Sequence, residues 1–441
     1  MVYKTLSGKN LYLSKILKES CLAVERQWSK KQIESVRQTE LNDILNIAFT
    51  KVPYYKNKFL SYDVKRQNIN SIKNLSKLPI LTKQNLRDNF IKLIPDGINI
   101  KNCVINKTSG SSGIPTKNLH DETHYLTYDV STIRMRLAAA IPFGEKVLYV
   151  VPKNFRLSKT VHGKENYPLI DTTGFNKVGE LHPTEASIDE ITFNLFKNDP
   201  PTAIYGNPYL IKYLSEKIFK HGVKINIPYL ITSFELTSES DKRFFKKAFN
   251  CKIFDIYGFS EMGDIAWECT YKQGYHINDD YFIVEGVDDD GNSIEEGEAN
   301  LVVTSLVHKS MPLIRYMPGD KVWLSKEQCK CGRKLSIIKK ILGRKVDFIK
   351  LPNGDRVSPY SVIQCFLDVK GINWFKLIQA EINQINIQIV KGINFDFDTE
   401  IKLKSKLNTL FDGQIILNFT YVSSIPQQSS GKIETVESLV N

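Results

Sequence analysis

The N-terminal quarter of the chain places apolar side chains at the three- and four-residue spacing of amphipathic helices, with polar loops between them. The segment SKKQIESVRQTELNDILNIAFTK carries this spacing and predicts a helix, which the proline of VPYYKNKF is expected to stop. In LPILTKQNLRDNF, Thr82 stands where it would cap a helix running through Leu86. The pattern therefore predicts a mainly helical beginning.

Beyond Val104 the pattern changes to short apolar runs, with helical stretches between several of them. The runs EKVLYVVP, TAIYG, YLITS and KIFDIYG are typical of strands buried in a parallel sheet. From Tyr281 to Leu324 short strands alternate with turns. The pattern predicts an α/β unit that ends in a strand-rich portion.

A second, smaller α+β unit is expected from Gly343 onward. It contains a hairpin with Asn353-Gly354 at its turn, a helix from about Thr399 to Phe411, and a last strand in IILNFTYV. The remaining tail is polar and is expected to be mobile. We therefore predict two units, residues 1–342 and a lid of residues 343–441.

Composition narrows the class of protein. With 441 residues, 42% hydrophobic and 11% aromatic, the chain supplies a real core, so disordered, collagen-like and coiled-coil proteins are excluded. The net charge of +12 favours phosphate-rich partners, although a lysine-coated surface is the simpler explanation. The seven cysteines, the lack of a cleavable leader pattern and the lack of a long apolar run favour a cytoplasmic protein without a membrane span.

The run TSGSSGIPTK, residues 108–117, carries phosphate-binding chemistry. Its glycines free backbone amides to turn toward an anion, its hydroxyls add donors, and its lysine adds a positive charge. It is not a Walker A loop, and a Ser/Gly-rich surface turn is the alternative. The candidate ATP-binding residues here are Thr108, Ser109, Gly110, Ser111, Ser112, Gly113, Thr116 and Lys117.

This run resembles the phosphate loop of the adenylate-forming superfamily, which contains acyl-CoA synthetases, luciferases and peptide-synthetase adenylation domains. Further segments resemble the superfamily's other motifs, in the right order: IYGFSE at 256–261, RYMPGD at 315–320, GRKVD at 343–347 and QSSGK at 428–432. The strings VPYYKNKF, IYGNPYLIKYL and CKCGRKL resemble the phenylacetate-CoA ligase and CapK-type branch. The resemblance implies a large multi-layer N-terminal domain and a mobile lid.

The resemblance implies formation of an acyl-adenylate from a carboxylic acid and ATP, with release of pyrophosphate. Glu261 would bind Mg²⁺, Tyr257 and Gly258 would flank the adenine, and Asp320 would accept the ribose hydroxyls. Arg344 would reach the ribose from the hinge, and Lys432 would neutralise charge at the α-phosphate. Taken singly, each of these residues has an ordinary structural explanation.

Two positions depart from the superfamily's pattern. Val346 stands where the hinge usually carries an acid, which puts the details of lid rotation in doubt. Phe234 stands where relatives commonly have glycine, and it narrows the adenine or acyl pocket.

A second candidate site consists of Cys269, His276, Cys329 and Cys331. Three thiolates and one imidazole are ligands that zinc prefers, and the Cys-x-Cys-Gly segment allows a tight knuckle. Members of the resembling branch carry a similar arrangement, which implies a structural Zn²⁺ site; unrelated buried cysteines are the alternative. The other cysteines are interpreted as ordinary small apolar positions.

The acyl substrate and its acceptor are the least determined features. The resemblance places Tyr205, Gly206 and Phe234 in the acyl pocket, and aromatic walls suit an aromatic acid. The acceptor is expected to be coenzyme A, or else an amine, a sugar or a carrier protein in surface (capsule) polysaccharide or secondary-metabolite synthesis. A homodimer is compatible with the resemblance. A degenerate nucleotide-binding relative is the competing class, and nucleic-acid-binding signatures are absent from the sequence.

Overall fold

In the computed structural model the chain is described over residues 28–69, 71–107, 116–141, 146–150, 158–161, 164–168, 176–181, 200–208, 210–212, 214–215, 225–237, 239–344, 349–357, 362, 365–366, 369, 371–392, 394–425 and 435–440.

The predicted helical beginning is confirmed from residue 28 onward. The α-helices with defined bounds are α1 Lys30–Lys51, α2 Pro53–Ser61, α3 Lys83–Asp88, α4 Glu122–Ala138, α5 Glu239–Phe249 and α6 Phe397–Leu410. Thr82 caps α3 as predicted, its hydroxyl accepting from the backbone N–H of Asn85. Pro53 does more than stop α1: it is the first residue of α2, where its missing N–H costs nothing. None of the helices in the described ranges combines the length and hydropathy needed to cross a membrane.

The strands fall into a long central set and several short pairs. Those before the site are β1 Leu81–Thr82, β2 Val104–Lys107, β3 Lys117–His120, β4 Lys146–Val150, β5 Ser158–Val161, β6 Lys164–Pro168, β7 Asn176–Leu181, β8 Ala203–Gly206, β9 Tyr229–Thr232 and β10 Lys252–Phe259. The strand-rich portion comprises β11 Gly263–Glu268, β12 Tyr275–Ile277, β13 Phe282–Val287, β14 Ser293–Ile294, β15 Gly297–Ser305, β16 Tyr316–Met317, β17 Asp320–Ser325 and β18 Ile337–Arg344. The lid contributes β19 Ile349–Lys350, β20 Arg356–Val357, β21 Ile372–Glu381, β22 Gln384–Lys391, β23 Ile416–Tyr421 and β24 Val436–Ser438.

One large sheet runs in the order β1-β16-β15-β17-β18-β12-β11-β10-β9-β8-β4-β7, with β13 and β14 attached beside β15. The predicted parallel strands are confirmed, since β4, β8, β9 and β10 pair in parallel. Strand β10 joins the two halves of the sheet, because it is parallel to β9 on one side and antiparallel to β11 on the other. The sheet therefore changes from parallel to antiparallel pairing at β10.

The core is divided into three hydrophobic clusters. The largest includes α1, α2 and α4 together with the antiparallel strands, and it contains Trp267 and Tyr316, both fully buried. A second cluster packs α5 against the outer side of the parallel strands, around Phe245 and Phe249. The third lies within residues 349–436 and forms the interior of the lid.

The lid is a four-stranded sheet, in the order β23-β22-β21-β24, covered by α6. The predicted hairpin is present as β19 and β20, with Gly354 at a backbone φ of +93° in the turn. The prediction that IILNFTYV is the last strand was wrong: Val436–Ser438 of the tail forms β24, which pairs in parallel with β21. Helix α6 begins two residues earlier than predicted, because Asp396 caps it.

Candidate active site

The candidate site lies at the end of β10, where the chain turns back into β11. The register of this pair shifts between Tyr257 and Gly258, so the strand bulges there. A Cβ at Gly258 would lie 2.3 Å from the carbonyl oxygen of Gly263, so no side chain fits at this position. Ligands of open α/β sheets commonly bind beyond the carboxyl ends of parallel strands, and β10 ends here as the last strand of the parallel half.

Tyr257 and Asp320 meet beside this turn. The hydroxyl of Tyr257 donates to Oδ2 of Asp320 at 2.5 Å, and both side chains are partly accessible. Asp320 is the first residue of β17, directly after the tight turn at Gly319, whose φ is +95°. The predicted adenine-flanking residue and the predicted ribose acceptor are thus in direct contact.

Glu261 occupies the turn between β10 and β11. It is 6% exposed, and its Oε1 accepts a hydrogen bond of 3.0 Å from the hydroxyl of Tyr316. Because Tyr316 comes from β16, two separate parts of the chain fix the position of this carboxylate. A buried, oriented carboxylate is suited to a hard cation such as Mg²⁺.

The strands that flank the phosphate-loop candidate, β2 and β3, pair in an antiparallel ribbon with Lys107 opposite Lys117. Thr116 is buried and Lys117 is exposed. Asn118 ties this ribbon to the site, since its Nδ2 donates to the carbonyl oxygen of Ser260 at 2.8 Å. Thr108, Ser109, Gly110, Ser111, Ser112 and Gly113 lie outside the described residues.

The lid residues of the prediction are described only in part. The backbone of Arg344 pairs with Asp320 across β17 and β18, so the hinge leaves the sheet opposite the candidate ribose acceptor. The side chain of Arg344 lies outside the description, as do Val346 and Lys432.

A contact between Lys212 and Trp374 joins the two units. Nζ of Lys212 lies 5.1 Å from the centroid of the Trp374 ring, which belongs to β21 of the lid. The same ammonium lies 3.2 Å from Oδ1 of Asp241 in α5. Lys212 therefore contacts the lid while an ion pair with Asp241 holds it within the N-terminal unit.

The predicted acyl wall comes together around Tyr205. Its ring packs edge-on against Phe234 at 5.9 Å, and its hydroxyl lies 3.1 Å from that of Tyr128. Burial, followed by the charge of Asp264, raises the pKa of Tyr205 well above its ordinary value. Phe234 holds a left-handed φ of +80°, and Gly206 approaches β4 so closely that a Cβ would meet Val150 at 2.0 Å. This wall is thus aromatic and carries protonated hydroxyls.

Three buried histidines beside the site were missed by the sequence analysis. The rings of His120 and His124 stack at 3.5 Å, and Nδ1 of His124 lies 3.1 Å from Nε2 of His308. Burial lowers the pKa of His308 to about 3, so this ring is neutral. Their positions at 120, 124 and 308 gave no sequence signal, because His308 joins the pair through tertiary packing.

A buried carboxylate on β10 was also missed. Asp255 accepts hydrogen bonds from Thr232 at 2.5 Å and from Tyr275 at 2.8 Å. Burial, followed by the charge of Glu268, raises the pKa of Asp255 to about 6. These hydrogen bonds hold β10 in place at Asp255, two residues before Tyr257.

The four predicted zinc ligands converge. Cys269 and His276 flank the turn between β11 and β12, and Cys329 and Cys331 lie in the loop between β17 and β18. All four are buried, and their ligand atoms lie within 4.8 Å of one another. The sulfurs of Cys269 and Cys329 are 3.7 Å apart, and Nε2 of His276 is 3.3 Å from the sulfur of Cys331.

Comparison with known proteins agrees with this geometry. Residues 349–438 match the family of the CapK C-terminal domain. The chain is 25% identical over 355 residues to a phenylacetate-coenzyme A ligase of Thermus thermophilus, covering 78% of this chain and 77% of that protein. It is 23% identical over 435 residues to the protein CapK of Staphylococcus aureus, covering 93% and 92% of the two chains.

Among solved structures, the chain resembles a 2-hydroxyisobutyryl-CoA ligase in two states. The postadenylation state with its acyl-AMP gives a TM-score of 0.77 at 16% identity, covering 93% of this chain and 90% of that one. The thioesterification state gives 0.61 at the same identity and coverage. At equal coverage, the arrangement of this chain is thus more similar to the postadenylation structure than to the thioesterification structure.

These comparisons confirm the resemblance to the adenylate-forming superfamily in its phenylacetate-CoA ligase and CapK-type branch. They also confirm the predicted α/β fold with a C-terminal lid.

Proposed function

We propose that this protein is an ATP-dependent, AMP-forming carboxylate ligase. A carboxylate oxygen of the substrate attacks the α-phosphorus of ATP, the bond to the pyrophosphate oxygen breaks, and an acyl-adenylate forms. The observation that carries the proposal is the contact of Tyr257 with Asp320 beside the buried Glu261. An aromatic ring in contact with one carboxylate, and a second carboxylate four residues further along the chain, support binding of the nucleotide's ribose and of a cation here.

Each residue of the candidate site would have its own role in binding ATP. Asp320 accepts hydrogen bonds from both ribose hydroxyls, with Tyr257 fixing its orientation, and Gly258 lets β11 approach the end of β10 closely. The run 108–117 binds the outer phosphates through backbone amides, and Lys117 adds a charge. Arg344 and Lys432 complete the site from the lid. Catalysis of this kind depends mainly on positioning and charge neutralisation.

Glu261 would hold Mg²⁺ in this site. Its carboxylate is oriented by Tyr316 and lies in the turn that Asn118 ties to the phosphate-loop ribbon. When bound, the ion would neutralise charge on phosphate oxygens.

The four-residue cluster fits structural Zn²⁺. A tetrahedral zinc with bonds of about 2.3 Å to sulfur separates two thiolates by about 3.8 Å, close to the 3.7 Å between Cys269 and Cys329. All four ligands come from the protein, which is typical of a closed structural site. The ion would join the β11–β12 hairpin to the loop before β18.

The second half-reaction would give a thioester with coenzyme A. The thiol sulfur attacks the acyl carbon, the bond to AMP breaks, and the thiol proton is released. This acceptor is supported by the similarity to proteins named phenylacetate-coenzyme A ligase. The match of residues 349–438 to the CapK C-terminal domain favours, as the second candidate, transfer to an amine, a sugar or a carrier protein, as in surface polysaccharide synthesis.

The same resemblance supports a domain boundary near residue 342 and a homodimer as parts of the proposal, and the cysteine usage of the sequence supports a cytoplasmic location. The separate hydrophobic cluster within residues 349–436 supports the boundary.

Carboxylate-dependent exchange of pyrophosphate into ATP tests the first half-reaction without assuming an acceptor. A panel of aryl, aliphatic and amino acids would be assayed with the wild type and with Lys432→Ala. Exchange that depends on one class of acid and falls in the variant supports the proposal. Folded protein that fails to bind ATP would overturn it. Product analysis with coenzyme A and with amines then identifies the acceptor.

A further inference from the structure

Helix α4 presents a polar face toward the interior of the protein. Tyr128, Thr132 and Arg136 recur at four-residue spacing, so their side chains share one side of the helix. The helix packs against β11, and Thr132 and Arg136 are almost completely buried. A helix face in this position is normally apolar, because buried polar groups cost free energy unless they are hydrogen-bonded.

These polar groups meet others from the sheet. The hydroxyls of Tyr128 and Tyr205 lie 3.1 Å apart, and Oγ1 of Thr132 donates to Oδ2 of Asp264 at 3.4 Å. We call Tyr128, Thr132, Tyr205 and Asp264 the polar wall. Burial, followed by the charges of Tyr205 and Asp264, keeps the pKa of Tyr128 well above its ordinary value, so its hydroxyl stays protonated.

The polar wall adjoins the candidate acyl site. Asp264 is the register partner of Gly258 across β10 and β11, and a Cβ at Gly258 would lie 2.9 Å from the Cα of Asp264. Tyr205 contacts Phe234 on the opposite side. The Tyr128 side chain keeps part of its surface accessible, so the wall is not wholly enclosed in the core. A carboxylate and two phenols therefore stand next to the residues assigned to the acyl pocket and the adenine site, Phe234 and Gly258 among them.

We propose that the polar wall selects a carboxylic acid whose acyl group carries a hydrogen-bond donor, either a hydroxyl or an ammonium group, over an acid with a wholly apolar acyl group. The proposal rests on the function proposed above and specifies its substrate. Its physical reason is that an apolar acyl group would cover the wall's oxygens without bonding to them. A site built to bind a substrate hydroxyl discriminates strongly against the analogue that lacks it.

The test is ATP–pyrophosphate exchange by the full-length protein with matched acids. Phenylacetate and its ring-methylated analogues form the apolar arm, the ring-hydroxylated phenylacetates form the hydroxyl arm, and the aminomethyl phenylacetates form the ammonium arm. We expect at least one acid of the donor arms to exceed every apolar acid in kcat/KM by about 10-fold or more, as one hydrogen bond to a charged group allows.

Two substitutions test whether the polar wall causes the preference for acids with a hydrogen-bond donor. Asp264→Asn removes the charge, and we expect it to lower the preference for the ammonium acid about 100-fold and for the hydroxy acid about 10-fold. Tyr128→Phe removes only a hydroxyl and is expected to lower the preferred acid's kcat/KM about fivefold. The matched controls are Asp63→Asn and Tyr62→Phe, both at exposed positions away from the cleft.

The outcomes separate this proposal from the one it rests on. A donor-arm preference that falls in both variants, with unchanged ATP affinity, supports the assignment, and the better arm distinguishes hydroxyl from ammonium. Exchange that is fastest with apolar acids, or a preference that neither variant alters, would overturn the assignment while leaving the ligase activity intact. No exchange with these acids by folded, ATP-binding protein that does exchange with another class of the wider panel would overturn this assignment alone, and no exchange with any acid of that panel would overturn the ligase function as well.

Discussion

The hydroxyl of Tyr257 donates a 2.5 Å hydrogen bond to the carboxylate of Asp320, although the two residues are 63 positions apart in the sequence. Tyr257 lies near the end of β10 and Asp320 at the start of β17, so the contact joins the strand shared by both halves of the sheet to the strand that pairs with the hinge.

This contact gives the first prediction. Asp320→Asn should raise the KM for ATP about 10- to 100-fold, because an anionic acceptor for the ribose hydroxyls is lost. Tyr257→Phe should raise it about fivefold, since Asp320 keeps its charge and loses only the hydrogen bond that orients it. The measurement is exchange at varied ATP concentration. Asp290→Asn, at an exposed turn, is the control, and an unchanged KM in Asp320→Asn would contradict the assigned role.

The carboxylate of Glu261 should set the magnesium dependence. Glu261→Gln should raise the Mg²⁺ concentration needed for half-maximal exchange by about 100-fold, and Tyr316→Phe, which removes its orienting partner, by about 10-fold. Magnesium titrations of the exchange rate check this, with Glu296→Gln as an exposed control. Titrations that coincide with the wild type would exclude Glu261 as a ligand.

The cluster around Cys329 should hold one zinc ion per chain. Cys329→Ser should abolish it and lower the melting temperature by about 5–10 °C, as expected for a loss of about 3 kcal/mol in a domain of this size. Metal analysis and thermal unfolding measure the two effects. Cys103→Ser, at a half-buried position outside the cluster, should change neither. Full zinc content in the variant would refute the assignment.

His308 should make the protein sensitive to acid. Its pKa is about 3 in the folded state against an ordinary value of 6.5, so the unfolded chain binds the extra proton between these values. The folded state therefore loses stability as pH falls, by about 2 kcal/mol between pH 6.5 and 5 from this group. Urea unfolding at both pH values should show a smaller loss in His308→Gln, whose amide can still meet His124 and Thr127. An equal loss in both proteins would contradict the prediction.

The contact of Lys212 with Trp374 should favour the lid orientation seen here. Trp374→Ala should slow adenylate formation about two- to fivefold, as a cation–π contact of about 0.5–1 kcal/mol implies, without slowing transfer of the acyl group from its adenylate. Single-turnover measurements of the two half-reactions separate these effects. Trp374→Phe keeps a ring and should lie nearer the wild type. Equal slowing of both steps would indicate general damage instead.

Much of this arrangement could be predicted from the sequence, because local patterns determine it. The parallel strands and the cap at Thr82 were correctly predicted, and the four side chains predicted as zinc ligands lie close together. The polar wall and the His308 cluster were not, because their members are brought together by packing between α4 and distant strands. Strand β24 was missed because it is only three residues long, with a single apolar residue, and gains its partner only from β21.

The position of the cysteine cluster also bears on the order of assembly during synthesis. Its last ligand is Cys331, whereas the lid begins to form its own core only at Ile349. A metal ion bound by the cluster would thus join the β11–β12 hairpin to the loop before β18 while the lid is still inside the ribosome, since domains generally fold as units in the order of their synthesis. When the lid leaves the ribosome, the last strand of the large sheet, β18, would already be held at its N-terminal end.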